Sequence, residues 1–130
     1  MRKRGALNIT TLISKTTEVK GDIKFSGALE IEGKVVGNIA ADDESSAEVR
    51  IRESGIVKGE ISVPSIIING VVEGDVHASQ HLEMAAKARV IGNVYYTSME
   101  MVMGAEINGN LHRENSKQVK RIGVDKSEED

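Results

Sequence analysis

The side chains with chemistry to offer are few and poorly arranged for it. Three histidines, His77, His81 and His112, stand in a chain that has no cysteine, so no disulfide framework and no thiolate metal site is available. His77 and His81 are four residues apart. On a helix that spacing would put two ligands on one face, a pattern metal sites use. The residues around them alternate as strand and corner instead, so the spacing carries no such geometry and both read as surface polar residues. Carboxylates are abundant, but Glu30 with Glu32, and Asp42 with Asp43 and Glu44, read as solvated faces rather than as an acid and base flanking a substrate. No serine and histidine are spaced as a nucleophile and its base. The motif glycines come one per repeat rather than clustered before a helix, so no phosphate-cradling loop is present. Met84, Met99, Met101 and Met103 read as core fillers, with the parity of Met103 leaving open an exposed position. The sequence offers no catalytic residue, no cofactor-binding residue and no metal ligand. The expectation is a protein that is not an enzyme.

The elements that hold these side chains repeat. Val19-Lys20-Gly21-Asp22-Ile23 recurs as Val35-Val36-Gly37-Asn38-Ile39, Val57-Lys58-Gly59-Glu60-Ile61, Val72-Glu73-Gly74-Asp75-Val76, Val90-Ile91-Gly92-Asn93-Val94 and Ile107-Asn108-Gly109-Asn110-Leu111. The intervals between the glycines are 16, 22, 15, 18 and 17 residues. Short tandem units of this kind mean a solenoid. Inside each unit apolar residues take one parity and polar residues the other, the period-two signature of a strand with one buried face. The inward parity continues at Phe25, Ala41, Val63, Ala78 and Tyr96. A second strand precedes each later motif: Leu29-Glu30-Ile31, Val49-Arg50-Ile51, Ile66-Ile67-Ile68, Leu82-Glu83-Met84 and Met99-Glu100-Met101. The corner from its last apolar residue to the next motif spans four positions (Ile31 to Val35) or six (Ile51 to Val57), and a difference of two preserves inward and outward faces.

About 17 residues per unit suit one turn of a parallel β-helix with three short strands and three corners, each strand pairing with its equivalent about 4.8 Å away. The architecture expected is all-β, of about six turns, over residues 19–112. Residues 1–18 read as a flexible arm in which Leu12 and Ile13 cover the first turn, and residues 113–130 as a disordered polar tail. The acidic, serine-rich run at 42–46 reads as a loop bulging from one corner. Aromatic residues make up 2% of the chain, which suits a core of stacked aliphatic columns. The residue after each glycine (Asp22, Asn38, Glu60, Asp75, Asn93, Asn110) forms a column expected to face water, its asparagines bonding to one another.

Charge is uneven. Residues 1–20 carry a net +4, residues 21–112 a net −7, and residues 113–130 balance. An acidic body repels phosphate, so nucleic acid is not an expected partner. The basic arm suits an anionic surface, with Arg2, Lys3, Arg4 and Leu7 as the candidate membrane contacts. No apolar run reaches the length of a membrane span, and no apolar segment follows the first basic residues as in a secretory signal. The expected location is the cytoplasm, at the inner face of the cytoplasmic membrane.

Thr11-Leu12-Ile13, followed by the run from Gly21-Asp22-Ile23-Lys24-Phe25 through Gly33 to Gly37-Asn38-Ile39, resembles the opening turns of the bactofilins. The resemblance extends over about residues 11–112. It implies a right-handed β-helix and a bacterial cytoskeletal scaffold that polymerises end to end without a nucleotide, often attached to the inner membrane, with cell-wall or morphogenesis proteins as further partners. The residues themselves suggest the same kind of assembly. No amphipathic helix caps either end, and the terminal turns stay apolar at Val19, Ile23 and Phe25 on one side and Met99, Met101, Ile107 and Leu111 on the other. These seven are the candidate polymerisation interface. Two other classes compete. A non-polymerising β-helical binding module would share the fold. A left-handed hexapeptide-repeat acyltransferase would need repeat intervals in multiples of six, which 16, 22, 15 and 17 are not.

Overall fold

The computed structural model describes residues 10–42 and 46–114. Sixteen strands, all paired in parallel, follow one another with no helix among the described residues. They wind into a solenoid of about six turns, each with three faces. The first turn is β1 (Thr10–Ile13), β2 (Glu18–Lys20) and β3 (Ile23–Lys24), and the second is β4 (Ala28–Ile31), β5 (Lys34–Val36) and β6 (Ile39–Ala40). The middle turns contain β7 (Glu48–Ile51), β8 (Ile56–Lys58), β9 (Ile61–Ile68), β10 (Val71–Glu73) and β11 (Val76–Met84). The chain then continues through β12 (Arg89–Ile91), β13 (Val94–Tyr96), β14 (Met99–Met101), β15 (Glu106–Asn108) and β16 (Leu111–Arg113).

Face I is β1-β4-β7-β9-β11-β14, face II is β2-β5-β8-β10-β12-β15, and face III is β3-β6-β9-β11-β13-β16. Strands β9 and β11 run through the corner between faces III and I without a break, so these two faces share one hydrogen-bonded sheet. The pairing of β9 with β11 slips between Ala78 and His81, where β11 carries one residue more than β9. The slip lies beside Pro64, which has no N–H to give a ladder and is tolerated at such a bulge.

The columns stand in register as the repeats require. Val19 pairs with Val35, Val35 with Val57, Val57 with Val72, Val72 with Val90 and Val90 with Ile107. Ile39, Ile61, Val76 and Val94 are fully buried on face III, as are Val49, Ile51, Ile66, Ile68, Leu82 and Met84 on face I. No polar or charged side chain is buried among the described residues. Each fully buried Val, Leu or Ile contributes about 1.5–3 kcal/mol, so the aliphatic columns supply the cohesion that aromatic rings supply elsewhere. The glycine column is a steric requirement. A Cβ on Gly37, Gly59, Gly74, Gly92 or Gly109 would overlap the backbone carbonyl of the glycine one turn earlier.

Three sequence expectations change. The strands begin at Thr10 rather than at residue 19, because β1 adds a rung to face I by pairing with β4 from Thr10↔Ala28 to Ile13↔Ile31. Within it Ile13 is buried; Leu12 lies over Glu30 on the outer side and is 53% exposed. The post-glycine column does more than face water. The Asp22 carboxylate accepts the N–H of Asn38, the Asn38 amide oxygen that of Glu60, Asp75 that of Asn93, and Asn93 that of Asn110, at 2.9–3.1 Å. Each side chain thus fastens the backbone of the next turn. The run at 42–46 joins β6 to β7, with residues 43–45 outside the described set.

Candidate assembly surfaces

The interior of the stack is sealed and its ends are not. At the last turn Met101 is 43% and Leu111 48% exposed, while Met99 and Ile107 are half-buried against the core. The corner between Met101 and Ile107 adds Val102 and Met103, both exposed, so Met103 is no core filler. At the first turn Val19, Ile23 and Phe25 are half-buried and packed against the core, and Ile13 is almost closed over. All seven candidate interface residues therefore lie on the terminal turns, three on one end and four on the other. Sequence reasoning left open an exposed position for Met103 but missed Val102; both sit in the corner between Met101 and Ile107 rather than in a strand with readable parity.

Backbone groups tell the same story. Gly92 donates to Asn108 O and Val94 to Asn110 O, at 3.0 and 2.9 Å. Gly109 and Leu111 hold the same positions one turn later, where no described residue continues the stack. Likewise the Asn110 side chain is the last of the Asx ladder among the described residues, and none of them comes within 4 Å of a Cβ placed on Gly21, at the other end of the glycine column. The terminal turns thus present a row of strand edge, apolar columns and unfilled ladder positions.

The chemically suggestive residues are scattered. His77 and His81 lie on different faces. His77 Nε2 stands 2.7 Å from a Glu60 carboxylate oxygen and its ring stacks on Tyr95, centroids 4.4 Å apart; Tyr95 stacks in turn on His112 at 4.8 Å. The three rings form the outward column of face III, legible only once the repeats are aligned position by position. Glu30 is tied to Arg52 at 2.9 Å, and Glu48 accepts from Arg50 Nε at 2.8 Å. The hydrogen bond it donates to Glu48, then the charge of Glu48, pushes the Arg50 guanidinium above its usual value, which leaves it the same cation. A groove along the corner between faces I and II, lined by Lys15, Glu32, Arg52, Glu53 and Asn69 among others, arises because four-residue corners are recessed beside six-residue ones. The candidate membrane residues Arg2, Lys3, Arg4 and Leu7 lie outside the described residues, as does the polar tail beyond Glu114. No helix among the described residues is long and apolar enough to cross a membrane.

The family model "Bactofilin: Polymer-forming cytoskeletal" matches residues 11–112. The chain belongs to the bactofilin family. Two curated relatives come from Myxococcus xanthus (strain DK1622). Bactofilin BacO is 28% identical over 109 residues, covering 84% of this chain and 83% of BacO. Bactofilin BacP is 25% identical over 101 residues, covering 78% of this chain but 40% of BacP. No solved structure matches. The match begins at residue 11, inside β1, in agreement with the rung that this strand adds. Family membership makes the chain one of a structural, polymer-forming cytoskeletal class.

Proposed function

We propose that this bactofilin is a non-enzymatic scaffold subunit that stacks end to end into filaments without a nucleotide. The observation that carries the reading is the open last turn, where Met101 and Leu111 stand in columns that are fully buried one turn earlier at Met84 and Val94. A second copy placed on that end would extend the strand pairing and bury those side chains. The driving force is the burial and pairing that already hold each turn to the next, so no bound nucleotide is required. Each subunit would add roughly 25–35 Å to a filament one solenoid wide, at about 4.8 Å per turn.

Electron microscopy and sizing chromatography of the purified protein test this. Leu111→Arg and Phe25→Arg place a charge on one end each, at half-buried or exposed sites, so circular dichroism should stay native while filaments shorten to monomers or capped dimers. Wild-type protein that stays monomeric at high concentration would leave the non-polymerising binding module as the better reading.

The basic arm extends the proposal to the inner face of the cytoplasmic membrane, where the filament would recruit cell-wall or cell-shape factors. Each cation near an anionic leaflet contributes about 1 kcal/mol. Arg2, Lys3 and Arg4 are marginal for one subunit, but a filament presents many arms at once. Deleting residues 2–7 should abolish co-sedimentation of the polymer with anionic vesicles. Equal sedimentation of intact and truncated polymers would remove the membrane from the reading.

A further inference from the structure

We propose that His81, Glu83 and Glu100 form a binding site for a divalent transition-metal ion of the zinc class, on the outer surface where the last turn meets the one before it. One ligand atom from each residue lies within 4.8 Å of the others. Pairing creates this meeting. Glu83 of β11 stands directly opposite Glu100 of β14, so two carboxylates occupy successive rungs of one outward column. Directly opposed like charges destabilise a sheet. Earlier in the same column the problem does not arise, because Glu30 is followed by Arg50 and then Ile67. Arg50 acts on Glu83 from two rungs away, and beside the two carboxylates themselves stands the imidazole of His81.

The bulge in β11 brings His81 there. The register slip between Ala78 and His81 sets the parity of the strand so that His81 and Glu83 both face outward while Leu82 and Met84 are buried. Re-aiming a side chain is what a bulge does. The ring is then held: Nδ1 lies 3.0 Å from Ser98 Oγ, and Nε2 is turned toward Glu100 Oε1 at 3.8 Å. That second distance is too long for a hydrogen bond. It is close to the roughly 3.4 Å that separates two ligands each about 2.1 Å from a shared tetrahedral ion. An imidazole with one nitrogen hydrogen-bonded and the other free is the usual arrangement of a metal-binding histidine.

The donor set selects the ion. One imidazole and two carboxylates, with the remaining positions open to water, suit Zn²⁺ or Co²⁺; calcium and magnesium favour an all-oxygen shell. A bound ion would tie Glu100 on β14 to His81 and Glu83 on β11, fastening the last turn to the body of the stack. The site stands whether or not that turn is an assembly surface.

Titration calorimetry of the full chain, stripped with a chelator and then given Zn²⁺ near neutral pH, tests the proposal. One equivalent should bind. His81→Ala and Glu100→Gln should abolish that binding, and Ser98→Ala should weaken it by about tenfold. His77→Ala should leave it intact, because His77 stands on face III with Glu60. Circular dichroism checks that each variant is folded. Cobalt(II) gives an independent reading on the wild-type protein, since a site of this kind produces visible absorption bands that excess Zn²⁺ removes. Absence of saturable Zn²⁺ binding, or binding that persists unchanged in His81→Ala, overturns the site and leaves His81 as a surface neighbour of Glu100 held by Ser98.

Discussion

One column of face III shows how differently the middle and the end of this molecule are built. Ile39, Ile61, Val76 and Val94 are 0% exposed, and Leu111, next in the same register, is 48% exposed. The residue types are alike, so burial here is a property of having a rung on both sides. Stability in such a stack is a sum of nearest-neighbour terms, and the last rung is missing one of them. The two ends differ as well. Ile13 is 7% exposed, whereas Met101, at the equivalent position of the last turn, is 43% exposed. Phe25 packs half-buried against the core at the first turn, while the corresponding column ends in exposed Arg113 over Tyr96. A ring partly closes one end; a charged chain that reaches out to Thr97 O borders the other.

The largest break in that comparison comes from a charge in the middle of the column. Ile61→Asp buries a carboxylate with no partner among apolar neighbours and should cost more than about 4 kcal/mol, enough to unfold or aggregate the protein. The same change at Leu111 leaves the charge in water, with an expected cost of about 1 kcal/mol or less. Thermal melts followed by circular dichroism compare the two. A native melt for Ile61→Asp would show that this register is wrong.

This contrast also marks what the sequence made legible. The inward parity of the repeat strands after β1 was readable because a period of two is preserved across corners that differ by two residues, as from Ile31 to Val35 and Ile51 to Val57. The terminal columns followed from the same parity. The start at Thr10 was harder, because β1 is rich in threonine and has no glycine motif before it. The outward position of Leu12 depends on its pairing with Glu30 rather than on its own apolar character. The roles of Asp22 and Asn38 as acceptors for the next turn's N–H were hidden, since side-chain length and corner geometry decide them. Glu60 occupies the same column and its carboxylate pairs with His77 instead. The meeting of His81 with Glu100 needed both the stacking register and the one-residue bulge, neither of which a spacing along the chain expresses.

A smaller test uses the glycine column. Gly59 and Gly21 both have positive φ, +155° and +135°, but an added Cβ meets the Gly37 carbonyl at the first and nothing within 4 Å at the second. Alanine at Gly21 carries only the backbone strain, about 1–2 kcal/mol. Alanine at Gly59 adds a collision with rigid backbone and should cost about 2–4 kcal/mol in all, since strain and overpacking both apply. Chemical denaturation of the two variants in a monomeric background, such as Leu111→Arg, separates the terms. Equal losses would mean that the stack is looser at Gly59 than its geometry indicates.

The smallest effect expected lies in the Asx ladder, and it sharpens the contrast between middle and end most directly. Asn38→Ala removes the acceptor for the Glu60 N–H, a 2.9 Å bond between turns. At an exposed corner water partly replaces that acceptor, so the loss should be about 0.5–1.5 kcal/mol, or several degrees in melting temperature for a domain of this size. Asn110 holds the equivalent place on the last turn. Its N–H is satisfied by Asn93, and no described residue follows to use its side chain. Asn110→Ala should therefore leave the stability of a monomeric variant unchanged within about 0.5 kcal/mol. If subunits stack through this end and continue the ladder, the same substitution in the otherwise wild-type chain should raise the critical concentration for filament formation. A substitution silent in the monomer and costly in the filament would locate the missing neighbour at the last turn. Silence in both would mean that the ladder stops at Asn110 and that other groups join the subunits.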